Sequence, residues 1–223
     1  MLLPVGDDNS ARRTVPYVTY VLVLVNIVVF AVELVRGDPF IVEWSFVPQR
    51  FLDDPAGEFW TLFTCMFLHG GWFHIVGNML YLWVFADNVE DNFGHFRFLA
   101  FYLVCGLAAT VAQMSVDIHS EIPTLGASGA IAGALGAYVL LFPRGRVKVL
   151  LGFFVIPLPA FVVLGLWIIL QLLSGIGSIL GPEAQGGVAY MAHLGGFTAG
   201  FMLALVLRRR TRAPLGRGPW DRG

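Results

Sequence analysis

Four polar side chains stand where an apolar sequence accommodates them least. His74, Asn78, Ser128 and His193 each interrupt a long apolar stretch. Polar and ionisable groups are costly in hydrocarbon, so such positions are candidate functional sites. A serine hydroxyl beside an imidazole is a pair suited to nucleophilic catalysis, the ring taking the hydroxyl proton as the oxygen attacks. Taken singly, each residue has an ordinary reading as well. A serine within a helix often bonds a carbonyl one turn back, and at a helix start it serves as an N-cap. A lone histidine or asparagine can simply hold two membrane helices together.

The elements that must position these groups follow from composition. Of 223 residues, 57% are hydrophobic and 13% charged, with a mean hydropathy of +0.74. A soluble domain carries roughly a quarter charged residues, so too few remain here to solvate a compact surface. A water-soluble enzyme and a disordered chain are excluded. The net charge of −1 excludes electrostatic binding of nucleic acid. Cys65 and Cys105 sit in apolar stretches and read as small packing residues. Arg12 and Arg13 precede an apolar run as in a signal peptide, but no A-x-A-like site follows, so the run reads as a membrane span.

Six spans are expected: Tyr17 to Val35, Trp72 to Ala86, Phe98 to Val116, Leu125 to Phe142, Ala160 to Leu180, and Gly187 to Leu207. Val147 to Ile156 is apolar but ends at Pro157 and Pro159, and reads as interfacial. Residues 1–16 and 209–223 read as cytoplasmic tails around one domain over 17–208. With both termini cytoplasmic, twelve of the fourteen basic residues fall on the inner side, leaving only Arg36 and Arg50 outside. The positive-inside rule requires this asymmetry. The expected fold is thus an all-α polytopic membrane protein with six transmembrane helices.

Depth links the polar groups. His74 lies 13 residues before Asp87, Ser128 16 before Arg144, and His193 15 before Arg208. At the helical rise these spacings place all three roughly 20–24 Å from the inner face, in one layer of the outer half of the bilayer. Gly129-x-x-x-Gly133 begins just after Ser128, and Gly196-x-x-x-Gly200 just after His193. Small residues at that spacing let two helix backbones approach closely. Ser128 also stands at a loop-to-helix junction, among backbone N–H groups and the positive dipole end suited to an oxyanion. His74 and Asn78, one turn apart on one face, can add side-chain donors.

A triad would add a carboxylate to orient the base, but none lies at this depth. Asp117, Glu121 and Glu183 fall in outer loops and Glu33 ends the first span. The expected catalytic unit is therefore a dyad. No metal site is expected: HExxH is absent, and His69 and His74 do not share a helix face. A transporter built on midplane polar groups would usually show inverted repeats, and none is seen.

Three motifs in this order resemble the rhomboid family of intramembrane serine proteases in its bacterial six-span form. They are His69-Gly70-Gly71-Trp72-Phe73-His74-x-x-x-Asn78, Gly126-Ala127-Ser128-Gly129, and Ala192-His193-Leu194-Gly195-Gly196-Phe197-x-x-Gly200. The resemblance spans roughly residues 17–208. It implies Ser128 as nucleophile, His193 as general base, and an oxyanion hole from His74, Asn78 and the backbone near Ala127 and Ser128. It implies no cofactor, cleavage of single-span membrane proteins in or near the bilayer, a prokaryotic plasma membrane location, and a fifth span that gates substrate access. A non-proteolytic protein that binds or escorts transmembrane segments is the alternative. Two positions depart from the family pattern. Trp60 is followed by Thr61 where an arginine is common. Ala132 stands where an aromatic residue often stacks on the catalytic histidine, leaving Tyr190, Met191 and Tyr138 as candidates to hold the ring.

Overall fold

The computed structural model describes residues 3–10, 12–180 and 189–208. Glu183, the start of the sixth expected span at Gly187, and the 209–223 tail lie outside these residues. The chain is mainly helical, with long helices that follow its apolar runs. They are α1 (Tyr17–Arg36), α6 (Trp72–Phe93), α7 (His95–Met114), α8 (Ser128–Leu141), α9 (Ala160–Leu180) and α10 (Tyr190–Leu207). Four short helices fold between α1 and α6: α2 (Asp38–Trp44), α3 (Pro48–Asp53), α4 (Pro55–Glu58) and α5 (Thr61–Thr64). Among the described residues, α1, α7 and α10 are long and apolar enough to cross a membrane, and Ser128–Leu141 and Ala160–Gly175 are shorter apolar helices. α6 is long, but Asp87, Glu90 and Asp91 fill its C-terminal end.

The expectation of an all-α chain is corrected. β1 (Leu3–Asp7), β2 (Arg146–Leu151) and β3 (Phe154–Pro159) form an antiparallel sheet in the order β1-β2-β3. β1 comes from the stretch read as a tail, and the β2–β3 hairpin from the one read as interfacial. Val147 and Val149 are fully buried while Arg146 and Lys148 point outward, the period of two that a half-buried strand requires. β2 is the central strand. Pro157 and Pro159 sit on β3, an edge, where a missing N–H is tolerated.

The acidic end of α6 organises the chain before α1. Pro16 offers α1 no side-chain cap. Instead the Glu90 carboxylate, fully buried, accepts from the backbone N–H of Val18 (2.9 Å) and Thr19 (2.7 Å) and from the Thr19 hydroxyl (2.7 Å). A carboxylate there also meets the positive end of the helix dipole. Asp91 accepts from the Thr14 N–H and hydroxyl, and Arg12 pairs with Asp87 at 2.6 Å.

α8 is the central helix of the bundle, packed by α10, α7 and α6. A Cβ on Gly196 would overlap the carbonyl oxygen of Gly129, and one on Gly136 the carbonyl oxygen of Phe197. Glycine is required at these contacts because the two helices meet backbone to backbone.

The short helices are tied down by Arg50. Its guanidinium donates to the carbonyls of Val42 (2.8 Å) and Ser45 (2.9 Å) and pairs with Glu58 at 2.8 Å. Thr61 donates to the Glu58 carbonyl. The segment is then pinned to the approach to α8. Phe46 and Thr124 exchange backbone hydrogen bonds at 3.1 and 2.7 Å, and the Gly126 N–H donates to the Cys65 carbonyl at 2.8 Å.

Candidate active site

Ser128 is the first residue of α8, with Ala127 in the cap position. Its hydroxyl is thus not spent as the N-cap. Gly126, at φ +125°, turns the chain into the helix, a conformation that favours glycine. His193 lies in the first turn of α10 and is buried. The close α8–α10 approach brings the two together, with His193 Nε2 2.8 Å from Ser128 Oγ. They are 65 residues apart in sequence.

His74 and Asn78 lie on one face of α6 and line the same cavity as Ser128 and His193, a space of about 350 Å³. The Gly70 N–H donates to His74 Nδ1 at 3.2 Å. In a neutral imidazole that acceptor role leaves the proton on Nε2, which is the nitrogen next to Gly126. Asn78 is buried, and its side-chain nitrogen has no hydrogen-bond partner. A buried amide donor without an acceptor is costly, and an anionic oxygen in the cavity would satisfy it. The first-turn N–H groups of α8 have no intrahelical acceptor either.

Two residues were not foreseen from the sequence. Gln171 Oε1 is 2.6 Å from His193 Nδ1, and the Trp167 ring packs on the His193 ring with centroids 5.8 Å apart at 40°. Both come from one face of α9, four residues apart. They, and not Tyr138, hold the ring; Tyr138 donates its hydroxyl to Asp7 at 2.8 Å. Tyr190 packs against Gly175. The signal available was a lone amide in an otherwise apolar helix. Among the described residues, no group of three or more His, Cys, Asp or Glu side chains could hold a metal ion.

Ser128 and His193 thus meet across two apolar helices, beside a cavity that His74 and Asn78 also line. The Rhomboid domain family model matches residues 56–210, and the chain belongs to the rhomboid family, as a multi-pass membrane protein. RHOMBOID-like protein 5 of Arabidopsis thaliana is 32% identical over 154 residues, 69% of this chain and 46% of that protein. Rhomboid protease GluP of Bacillus subtilis is 31% identical over 196 residues, 86% of this chain and 35% of that protein. Putative rhomboid protease YdcA of Bacillus subtilis is 29% identical over 209 residues, 92% of this chain and 96% of that protein. The chain thus spans about a third to a half of the length of the first two and nearly all of the third.

Proposed function

We propose that this chain is an intramembrane serine endopeptidase that cuts single-span membrane proteins in or near the bilayer. The observation that carries the reading is the 2.8 Å contact between Ser128 Oγ and His193 Nε2. His193 takes the Ser128 proton as Oγ attacks the scissile carbonyl. The developing oxyanion is held by His74, Asn78 and the N–H groups near Ala127 and Ser128. The imidazolium then gives its proton to the leaving amine. A water activated by the same ring hydrolyses the acyl-enzyme and regenerates the hydroxyl.

The chain crosses the membrane six times, with both termini on the cytoplasmic side; the protease domain expected over 17–208 also takes in β1, which pairs with β2, and 209–223 forms a basic tail. The positive-inside distribution of Arg and Lys supports this topology, and the bacterial relatives favour a prokaryotic plasma membrane. Helical peptide bonds are shielded, so substrates that unwind at Gly or Pro near the cut are favoured.

The test is reconstitution into liposomes with a single-span substrate. Wild type is expected to cut it, and Ser128→Ala and His193→Ala to lose cleavage to background. Cleavage that survives either substitution overturns the reading.

A further inference from the structure

Resting on that reading, we propose that Gln171 is a positioning residue for His193. It locks the imidazole in the tautomer that activates Ser128, and it makes the dyad depend on the placement of α9. The argument begins with the donors and acceptors. Gln171 Oε1 faces His193 Nδ1 at 2.6 Å. A carboxamide oxygen can only accept, so Nδ1 must carry the proton. In a neutral ring that leaves Nε2 with its lone pair, and Nε2 is the nitrogen 2.8 Å from Ser128 Oγ. The opposite tautomer would put an N–H against the hydroxyl and leave no base. Gln171 thus does with a neutral amide what a buried carboxylate does in a triad. It offers weaker stabilisation of the imidazolium, at no cost of a buried charge.

Placement on α9 adds a consequence. Trp167 and Gln171 are one turn apart and together hold one face and one nitrogen of the ring. The opposite side of α9 is exposed at Ile169 and Leu173. A sideways shift of α9 by a few ångströms breaks a 2.6 Å hydrogen bond while leaving Ser128 and His193 on their own packed helices.

The experiment compares wild type with Gln171→Met, close in volume but with only a weak thioether acceptor, and Gln171→Glu, which keeps a strong one. Folding is checked by thermal unfolding. His74 and Tyr81 are the other titratable side chains lining the cavity and are unchanged in every variant. Ser128 modification by a fluorophosphonate and cleavage of a single-span substrate are timed across pH. The His193 tautomer is read separately by 15N NMR of histidine-labelled protein, assigned by difference from His193→Ala.

Gln171→Met is expected to slow modification and kcat by at least about tenfold with KM little changed, and to lose the pure Nδ1–H tautomer. Gln171→Glu is expected to restore most of the rate. Its acid limb should move to higher pH, because a carboxylate stabilises the imidazolium. A wild-type rate and a retained Nδ1–H tautomer in Gln171→Met overturn the proposal. So does equal loss in both variants with the tautomer unchanged, which marks Gln171 as packing only. Should wild type neither cut nor react, the protease reading fails. The nitrogen spectra still decide the positioning role, since loss of the tautomer in Gln171→Met supports it and retention refutes it.

Discussion

A Cβ on Gly200 would overlap the carbonyl oxygen of Gly133, so α10 and α8 touch backbone to backbone two turns below the dyad. Neither backbone can retreat without moving its helix. Gly200→Ala is therefore predicted to splay the pair and draw His193 away from Ser128. The expected cost is at least about 1–3 kcal/mol, as for overpacked cores, together with loss of fluorophosphonate modification. Gly165→Ala on α9 is the control, since a Cβ there meets nothing within 4 Å. Thermal unfolding in detergent checks both. An unfolding midpoint for Gly200→Ala equal to that of the control would refute the packing account.

Long apolar runs made the major helices legible. α9 occupies Ala160–Leu180 as expected, and α1 differs from the expected span by one residue. The Ser128–His193 pairing was legible because depth and small-residue spacing are both counted along helices of known rise. α8 begins at Ser128 and not at Leu125, where the fourth span was expected to start, because Gly126 turns the backbone first. The sheet was not legible. β1 pairs with residues of β2 that lie 140 to 147 positions away, and in the β2–β3 hairpin apolar residues with two prolines masked the alternation at Arg146 to Val149. Gln171 lies outside the three motifs and carries no charge. Eleven residues past Ala160, it lies roughly 16 Å along α9, close to the dyad's layer, so the same depth count would have found it.

Arg50 does the anchoring that Thr61 cannot. Its guanidinium joins two carbonyls and the Glu58 carboxylate within the loop region, a fork that an ammonium does not reproduce. Both Arg50→Lys and Arg50→Ala are predicted to loosen residues 38–58. Charge-assisted hydrogen bonds of this kind contribute about 1.5–3 kcal/mol each when well made, less where the side chain is partly exposed. Limited proteolysis of intact proteoliposomes is the measurement. Faster cutting in this segment is expected for both variants, and an unchanged pattern in Arg50→Ala would count against the anchor.

Asp7 gives the sheet a pH dependence. It is buried at the end of β1, where it accepts from Tyr138 at 2.8 Å and Asn88 at 2.7 Å. Burial first, then the charge of Asp87, push its carboxyl from the ordinary 3.8 up to about 7, against the pull of those two hydrogen bonds. Folding therefore favours the protonated form. The contribution is fully present below the ordinary value and is lost as pH rises through about 7. Amide hydrogen exchange in β1 and β2 should quicken between pH 5.5 and 8 beyond the intrinsic base-catalysed change. Asp7→Asn, neutral throughout, should remove that excess. The same excess in both proteins would show that another group controls the sheet.

Gly126 lies between His74 and Ser128. A Cβ there would lie 2.9 Å from His74 Nε2 and 3.6 Å from Ser128 Oγ, on a backbone at φ +125°. Gly126→Ala thus both strains the turn into α8 and pushes the His74 ring off the cavity. It is predicted to cut kcat/KM by about 10²-fold, the scale of losing one oxyanion donor. His74→Ala should cost a similar factor. Because the first change already displaces the ring that the second removes, the double variant should lose little more than either alone. That non-additivity is the mark of two residues acting through one group. Cleavage kinetics on the four proteins of the cycle provide the check. Losses that multiply would place Gly126 and His74 in separate roles, and an active Gly126→Ala would remove His74 from the oxyanion site.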